Sequence, residues 1–185
     1  MSRIATPAIA DAPAASQPLL EGVKKQLGVV PNLFRVISNS PAALQGHLKL
    51  HGALSKGTLS AATRERIAIA VADIDGCDYC LSAHAYIGKN LLKLDDAELA
   101  ANRNGASNDP KADAAVRFAT VVVRKRGRVN DDDIRVLKLA GYDDAVVVEI
   151  IQNVALNIWT NYLNEVAQTE IDFPVLKTHN GKTEA

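Results

Sequence analysis

Residues 60–92 read SAATRERIAIAVADIDGCDYCLSAHAYIGKNLL, and their pattern indicates two consecutive helices. Its first half predicts a helix over about 60–75, because apolar residues recur on one face at helical spacing. The members of that apolar stripe are Ile67, Ala70, Val71 and Ile74. Gly76 then interrupts the pattern, since glycine commonly ends a helix. A second helix is predicted over about 77–92.

Helix-capping signals extend this pattern outward in both directions. Ser40 followed by Pro41 predicts a helix that begins there and runs to about residue 55. Asp109 followed by Pro110 predicts another, which reaches about residue 125. Asp95 and Glu98 have the spacing of a capping box. Glycines fall where helices should end, at Gly57, Gly76, Gly105, Gly127 and Gly141. We therefore expect an all-α fold of about eight helices joined by short links.

The two ends of the chain lack this periodicity. Residues 1–16 are rich in alanine and proline, and residues 174–185 show no amphipathic pattern. Segments of this composition are commonly loose. The sequence thus predicts one helical domain over residues 17–173, with a flexible tail on each side.

Composition narrows the classes of function. The chain has 21 Lys plus Arg and 21 Asp plus Glu, and this balance argues against nonspecific nucleic-acid binding. No apolar run approaches the roughly 20 residues that span a bilayer. No continuous hydrophobic segment precedes Pro7, so we expect neither a signal peptide nor membrane association. The expected location is the cytoplasm.

The chain has only two cysteines, and they form a C-x-x-C pair. In a reducing compartment such a pair indicates redox chemistry or metal binding. On a helix, Cys77, Cys80 and His84 share one face, and Cys80 and His84 are four residues apart. The helix N-terminus and a nearby imidazole would both favour the thiolate, which is the nucleophile. A dithiol with an adjacent base can attack a peroxide and then close to a disulfide.

Glu65 precedes Gly76 by eleven residues, which places both on the same face of the first helix. A carboxylate near His84 would orient the imidazole and accept a proton. The alternative is a surface ion pair with Arg64 or Arg66. The sequence leaves both interpretations open, because they depend on how the second helix folds back.

Glu65, Cys77, Cys80 and His84 together match the pattern E-x11-C-x-x-C-x-x-x-H. This resembles the signature of the alkylhydroperoxidase D-like branch of the carboxymuconolactone decarboxylase family. The segments PNLFRVI (31–37), SPAAL (40–44), ALN (155–157) and NYLNEVA (161–167) are similar to its peroxidase-related members. The resemblance covers about residues 28–173. It implies an all-α, homo-oligomeric protein that reduces hydroperoxides with a cysteine pair.

The resemblance also implies a role for each residue of the signature. Cys80 would attack the peroxide with help from Glu65 and His84, and Cys77 would resolve the sulfenic acid to a disulfide. A dithiol protein of the lipoyl or thioredoxin type would reduce that disulfide, and no other cofactor is expected. The best-known members carry a second histidine where this chain has Tyr79. A phenol with a pKa of about 10 is a poor base near neutral pH.

Other functions stay open at this point. Cys77, Cys80 and His84 would suit zinc if His47 or His51 supplied a fourth ligand. The family name also includes decarboxylation of a muconolactone-type acid, although such enzymes generally lack the paired cysteines. A non-catalytic redox switch would use the same pair without turnover.

The last predicted helix carries a stripe of amides at Asn153, Asn157, Asn161 and Asn164. Asparagine is a poor helix former, and a solvated face more often carries Lys and Glu. The stripe therefore indicates a subunit interface or a pocket wall, with ordinary exposure as the alternative. Tyr79 is a further candidate for the pocket.

Overall fold

The computed structural model describes residues 2–179, in which all regular structure is helical. The α-helices are α1 (Gln17–Leu27), α2 (Asn32–Ile37), α3 (Pro41–Leu54), α4 (Ala61–Asp75), α5 (Asp78–Asn90), α6 (Asp96–Arg103), α7 (Pro110–Arg124), α8 (Asp131–Leu139) and α9 (Asp144–Ala167). The all-α prediction is confirmed, with nine α-helices in this part of the chain where about eight were expected. The six residues of α2 are too few to show a helical period. Within residues 2–179 no helix combines the length and apolarity that a membrane crossing requires.

Helix α4 is the centre of the fold and packs against α5, α6, α7 and α9. Its residues 67–73 are all buried, so neighbours enclose the helix on every side. A helix in this position must be apolar all round, which explains its run of Ile, Ala and Val. The predicted apolar stripe of this helix therefore included too few of its buried residues. Ala68, Ile69 and Ala72 are also buried, whereas Ile74 is only partly so.

Two hydrophobic clusters lie on different sides of α4. Ile67 and Val71 belong to a large cluster formed with α7 and α9. Ile69 and Ala72 belong to a second cluster, which contains Leu81 of α5 and both cysteines. The cysteine pair is thus part of a packed core, and its position depends on the packing of α4 against α5.

The predicted capping residues mostly act as caps. The side chains of Ser40 and Asp109 each accept a hydrogen bond from a backbone N–H in the first turn of the helix that follows. Ser60, which was not predicted as a cap, does the same for α4. Asp95 accepts the Glu98 N–H at 2.7 Å, but the Glu98 carboxylate bonds elsewhere, so only half of the predicted capping box forms.

The described parts of both predicted tails are attached to the domain, which corrects the expectation of loose ends. The Arg35 guanidinium donates to the carbonyls of Thr6 and Pro7, and Ser16 Oγ donates to Ser38 O at 2.7 Å. Residues 174–179 lie against α5, as described below. Composition failed here because these contacts need particular partners rather than an amphipathic period. Residues 1 and 180–185 of the predicted tails lie outside the described residues.

Candidate active site

The break between α4 and α5 places the cysteines. Gly76 has a φ of 74°, a left-handed conformation that glycine adopts without steric cost, and it ends α4. Cys77 is the N-cap of α5, and its Sγ accepts the Cys80 N–H at 3.3 Å. Cys80 therefore lies in the first turn of α5, whereas Cys77 precedes that turn.

Both thiols are free and buried, with 0% of Cys77 and 3% of Cys80 exposed. Asn164 Nδ2 of α9 donates a hydrogen bond to Cys80 Sγ at 3.1 Å. Burial, together with the adjacent Cys77 sulfur, raises the pKa of Cys80, and the Asn164 contact opposes that rise. We expected the helix N-terminus and His84 to make Cys80 a ready thiolate. The structure differs from that expectation because the Cys80 thiol is buried, and burial raises its pKa.

His84 pairs with Glu65 rather than with a sulfur. Its Nδ1 lies 2.7 Å from Glu65 Oε1, and the two side chains are 24% and 13% exposed. Burial acts to lower the pKa of His84, but the Glu65 carboxylate and a hydrogen bond with Asn157 outweigh it and raise that pKa. Within residues 2–179 no hydrogen bond joins His84 to either cysteine. The imidazole is therefore biased toward its protonated form beside a carboxylate.

The alternative in which Glu65 pairs with a neighbouring arginine is wrong. Arg64 donates to the carbonyl of Leu59, and Arg66 pairs with Glu98 at 2.6 Å. Glu65 instead points toward α5, since α5 folds back along α4.

Tyr79 is a structural residue at the edge of the site. Its hydroxyl accepts the Leu33 N–H at 3.0 Å, and it also hydrogen-bonds to Asp172. Its ring packs edge-on against Phe173. Burial raises the pKa of Tyr79 far above its ordinary value, even though the bond from Leu33 opposes that rise. A phenol held in this way cannot act as the base that a histidine would supply.

The amide stripe of α9 faces the interior of this chain. Asn153 and Asn157 donate to carbonyls one turn back on α9, and Asn157 also hydrogen-bonds to His84. Asn161 donates to Asp75 at 2.9 Å, and Asn164 donates to Cys80. All four side chains are buried against the domain. The stripe is therefore neither an exposed face nor a subunit interface, and its part near the cysteines walls a cavity.

That cavity has a volume of about 600 Å³ and lies beside the start of α5. Its wall includes Gly76, Tyr79, Asn164, Thr169 and Ile171. Sequence reasoning identified Asn164 as a member of the stripe but missed its contact with Cys80. An asparagine in the motif NYLNEVA was the available signal, yet its partner lies 84 residues away in the chain.

The C-terminal segment 174–179 closes one side of this region. The Asp78 carboxylate accepts the Thr178 N–H at 2.9 Å and pairs with Lys177, while Ser82 Oγ accepts the Leu176 N–H at 2.9 Å. Asp73 accepts the His179 N–H at 2.9 Å. Sequence reasoning had assigned this segment to a tail.

Replacing Asp78 with alanine should release the segment. We expect trypsin to cleave after Lys177 faster in this variant, because cleavage requires local detachment of the backbone. Mass spectrometry of timed digests measures the rate. Asp132→Ala is the matched control, since Asp132 is an exposed carboxylate of α8. Equal cleavage rates in the three proteins would contradict the anchoring role of Asp78.

The zinc alternative finds no support in the arrangement of possible ligands. Across residues 2–179 no group of three or more His, Cys, Asp or Glu side chains could hold a metal ion. His47 is buried between the rings of Phe34 and Trp159. Burial, with a smaller contribution from His51, lowers its pKa to about 4. His47 is thus a neutral packing residue.

Comparison with known proteins shows a family resemblance in sequence. Residues 41–121, which contain the Glu65–His84 pair and both cysteines, match the model of the carboxymuconolactone decarboxylase family. No curated protein matches the chain in sequence.

Solved structures extend the likeness beyond the matched range. The alkylhydroperoxidase AhpD core of an uncharacterized peroxidase-related protein from Ralstonia eutropha JMP134 is 26% identical, with 92% of each chain covered and a TM-score of 0.82. An uncharacterized peroxidase-related protein from Silicibacter sp. TM1040 is 25% identical, with 91% of each chain covered and a TM-score of 0.79. The debrominase Bmp8 in complex with 2,3,4-tribromopyrrole is 18% identical, with 91% of each chain covered and a TM-score of 0.74, and this likeness concerns the fold alone.

The family model and the peroxidase-related structures thus bear out the resemblance seen in the sequence. Over residues 41–121 this chain is similar to the carboxymuconolactone decarboxylase family, and its fold is similar to that of alkylhydroperoxidase D-like, peroxidase-related proteins.

Proposed function

We propose that this protein is a thiol-dependent hydroperoxide reductase. The observation that carries the proposal is a reduced cysteine pair at a helix N-terminus, with a carboxylate–imidazole pair on the same two helices. The two cysteines supply a nucleophile and a resolving thiol, and His84 supplies an acid. The similarity of this chain to the carboxymuconolactone decarboxylase family and to alkylhydroperoxidase D-like structures supports the same chemistry.

The reaction begins at Cys80. After the thiol loses its proton, the sulfur attacks the outer oxygen of ROOH, so an S–O bond forms as the O–O bond breaks. The sulfur is oxidised by two electrons and the peroxide is reduced. His84, which Glu65 keeps protonated, donates a proton to the leaving alkoxide, and the proton lost by Cys80 restores it. This refines the expectation that Glu65 and His84 act mainly as a base.

Resolution uses the second cysteine. Cys77 attacks the sulfur of the Cys80 sulfenic acid, forming the S–S bond while hydroxide leaves and takes the Cys77 proton as water. An external dithiol then reduces the disulfide and is itself oxidised. A lipoyl- or thioredoxin-type protein would supply that dithiol, which favours a cytoplasmic location. A homo-oligomer remains part of the proposal, since the outer face of α9 exposes Val148, Tyr162 and Val166.

The test is peroxide consumption with several dithiol donors. Cumene hydroperoxide and hydrogen peroxide are supplied in large excess over protein, with dithiothreitol, a reduced lipoyl protein or thioredoxin as donor. We expect many equivalents of peroxide to be consumed per chain with at least one donor. Consumption of one equivalent or less with every donor would identify a redox switch and overturn the proposal.

Replacing Glu65 with glutamine should lower the pKa of His84, because the carboxylate is what raises it. As His84 acts as an acid, the alkaline limb of the activity profile should move to lower pH. Ring-proton NMR follows the titration directly, since the chain has four histidines. Glu21→Gln, at an exposed site on α1, is the control. An unchanged His84 titration in Glu65→Gln would show that the pair does not set its protonation.

A further inference from the structure

Asn164 differs from every other amide of the α9 stripe in what it touches. Its Nδ2 lies 3.1 Å from Cys80 Sγ, the atom that the proposed function makes the nucleophile. The side chain is 2% exposed, so water does not compete freely for this contact. A hydrogen bond to a sulfur that carries charge is stronger than one to a neutral thiol. The amide therefore stabilises the thiolate more than the thiol.

The oxygen of the Asn164 amide has no hydrogen-bond partner among residues 2–179. Asn164 Oδ1 is buried and accepts no hydrogen bond from the described residues. Leaving a buried acceptor unsatisfied costs about 1–3 kcal/mol, so such an atom calls for an explanation. A bound O–H donor that reaches the sulfur would satisfy it.

The cavity beside α5 is large enough to hold a molecule that carries such an O–H group. Asn164 and Thr169 both line it, and Thr169 Oγ1 is a second buried oxygen without a partner in the described chain. The Thr169 N–H donates to the Asn164 carbonyl at 3.1 Å, which fixes the two residues relative to each other. Asn161 also has an unpartnered oxygen, but its amide donates to Asp75 and it does not line this cavity. Two residues of the cavity wall thus carry a buried oxygen without a partner among residues 2–179, and one of them, Asn164, also contacts Cys80.

We propose that Asn164 is a catalytic residue, whose N–H holds the Cys80 sulfur and whose carbonyl oxygen accepts the O–H of an incoming hydroperoxide. This inference rests on the proposed function. It assigns the cavity as the peroxide channel and the terminal O–H of ROOH as the group recognised there. The same carbonyl then accepts the O–H of the sulfenic acid after the O–O bond breaks.

The electron and proton balance is that of the proposed peroxide reduction. The Cys80 sulfur loses two electrons to the peroxide, the transferred oxygen keeps its hydrogen, and the alkoxide leaves with a proton from His84. Asn164 exchanges no proton or electron. It holds the two atoms between which the S–O bond forms, a contribution that acts through orientation and electrostatics.

The first test measures Cys80 in a Cys77→Ser background, where it is the only thiol in the chain. Serine is a good N-cap residue, so α5 is expected to keep its start. In this background, Asn164→Leu and Asn164→Asp should both move the midpoint of the iodoacetamide rate profile to higher pH. At neutral pH we expect alkylation to slow by roughly ten- to hundredfold, the effect of one hydrogen bond to a charged group.

Asn153→Ala is the matched control, because Asn153 is a buried amide of the same helix that donates to the backbone carbonyl of Glu149 and, among residues 2–179, has no hydrogen bond to either cysteine. Its alkylation profile should stay at the parent midpoint. Circular dichroism checks the fold of each variant, and the nearly isosteric Asn164→Asp serves if the leucine variant is poorly folded. An unchanged midpoint in both Asn164 variants would overturn the role of the N–H.

The second test isolates the carbonyl oxygen. The rate of Cys80 oxidation by cumene hydroperoxide is divided by the thiolate fraction found from alkylation. Aspartate keeps an oxygen at this position and leucine does not, so the normalised rate should fall further in Asn164→Leu. Equal normalised rates would contradict peroxide binding by Asn164. If the parent protein reacts with no peroxide while the alkylation shift is present, the proposed function fails but the sulfur contact stands.

Discussion

Cys80→Ser is expected to abolish peroxide consumption with every dithiol donor. A serine hydroxyl in the same buried position does not ionise near neutral pH, so no nucleophile remains to attack the O–O bond. We expect a loss of about 10⁴-fold or more in kcat, as for other enzymes that lose their nucleophile. Colorimetric measurement of remaining hydroperoxide gives the rate. Activity at the parent level would eliminate Cys80 as the reacting group.

Cys77→Ser is the matched variant, because it removes the other thiol but keeps a capping side chain at the start of α5. It should consume one equivalent of peroxide per chain and then stop, with Cys80 held as a sulfenic acid that a dimedone probe labels. The chain has no third cysteine to form the disulfide in its place. Continued turnover with a dithiol protein would mean that Cys77 is not the resolving thiol.

The helix–glycine–helix unit could be predicted from the sequence because its signals are local. Gly76, the capping position of Cys77 and the apolar run after Glu65 each act within a few residues. The family signature added the pairing of Glu65 with His84, which periodicity alone had left undecided. The structure places the two side chains 2.7 Å apart.

What local patterns missed are contacts between distant parts of the chain. Helical spacing placed His84 near Cys80, yet α4 offers the imidazole a carboxylate and α9 offers the sulfur an amide. The partners of Tyr79 lie 46 residues before it and in the segment after α9. Burial of the cysteines depends on the whole α4–α5 packing, and for that reason the expectation of a ready thiolate was wrong.

The contacts of Glu98 could not be predicted from local sequence patterns either. Its replacement is expected to have a large effect on stability. The sequence placed it in a capping box, but its carboxylate holds α6 to α4 and to the loop before α7. It accepts hydrogen bonds from Arg66, Asn102, Ser107 and the Asn108 N–H at 2.5–2.9 Å. The group is 5% exposed. Burial acts to raise the pKa of Glu98, but these four bonds together lower it to about 2.

Glu98→Gln should lower the free energy of unfolding by about 3 kcal/mol, because Arg66, whose side chain is only 13% exposed, then loses its counter-charge. Urea unfolding followed by circular dichroism measures the change. The pH dependence has a definite sign. A carboxyl with a folded-state pKa near 2 and an ordinary pKa of 4.5 stabilises the protein above about pH 4.5, and this contribution is lost as the pH falls toward 2. The stability of Glu98→Gln should therefore depend less on pH in that window.

Asp96→Asn provides the contrast on the same helix. Asp96 pairs with Lys89 at 2.6 Å, but its side chain is 79% exposed, and exposed ion pairs contribute about 1 kcal/mol or less. We expect the free energy of unfolding of this variant to lie within about 0.5 kcal/mol of the parent value. If both substitutions lower the free energy of unfolding equally, Glu98 contributes no more than an exposed carboxylate and does not hold α6 to α4. A selective loss in Glu98→Gln would instead show that this buried carboxylate of α6, through its ion pair with Arg66 beside Glu65 on α4, helps to hold the frame on which the candidate site is built.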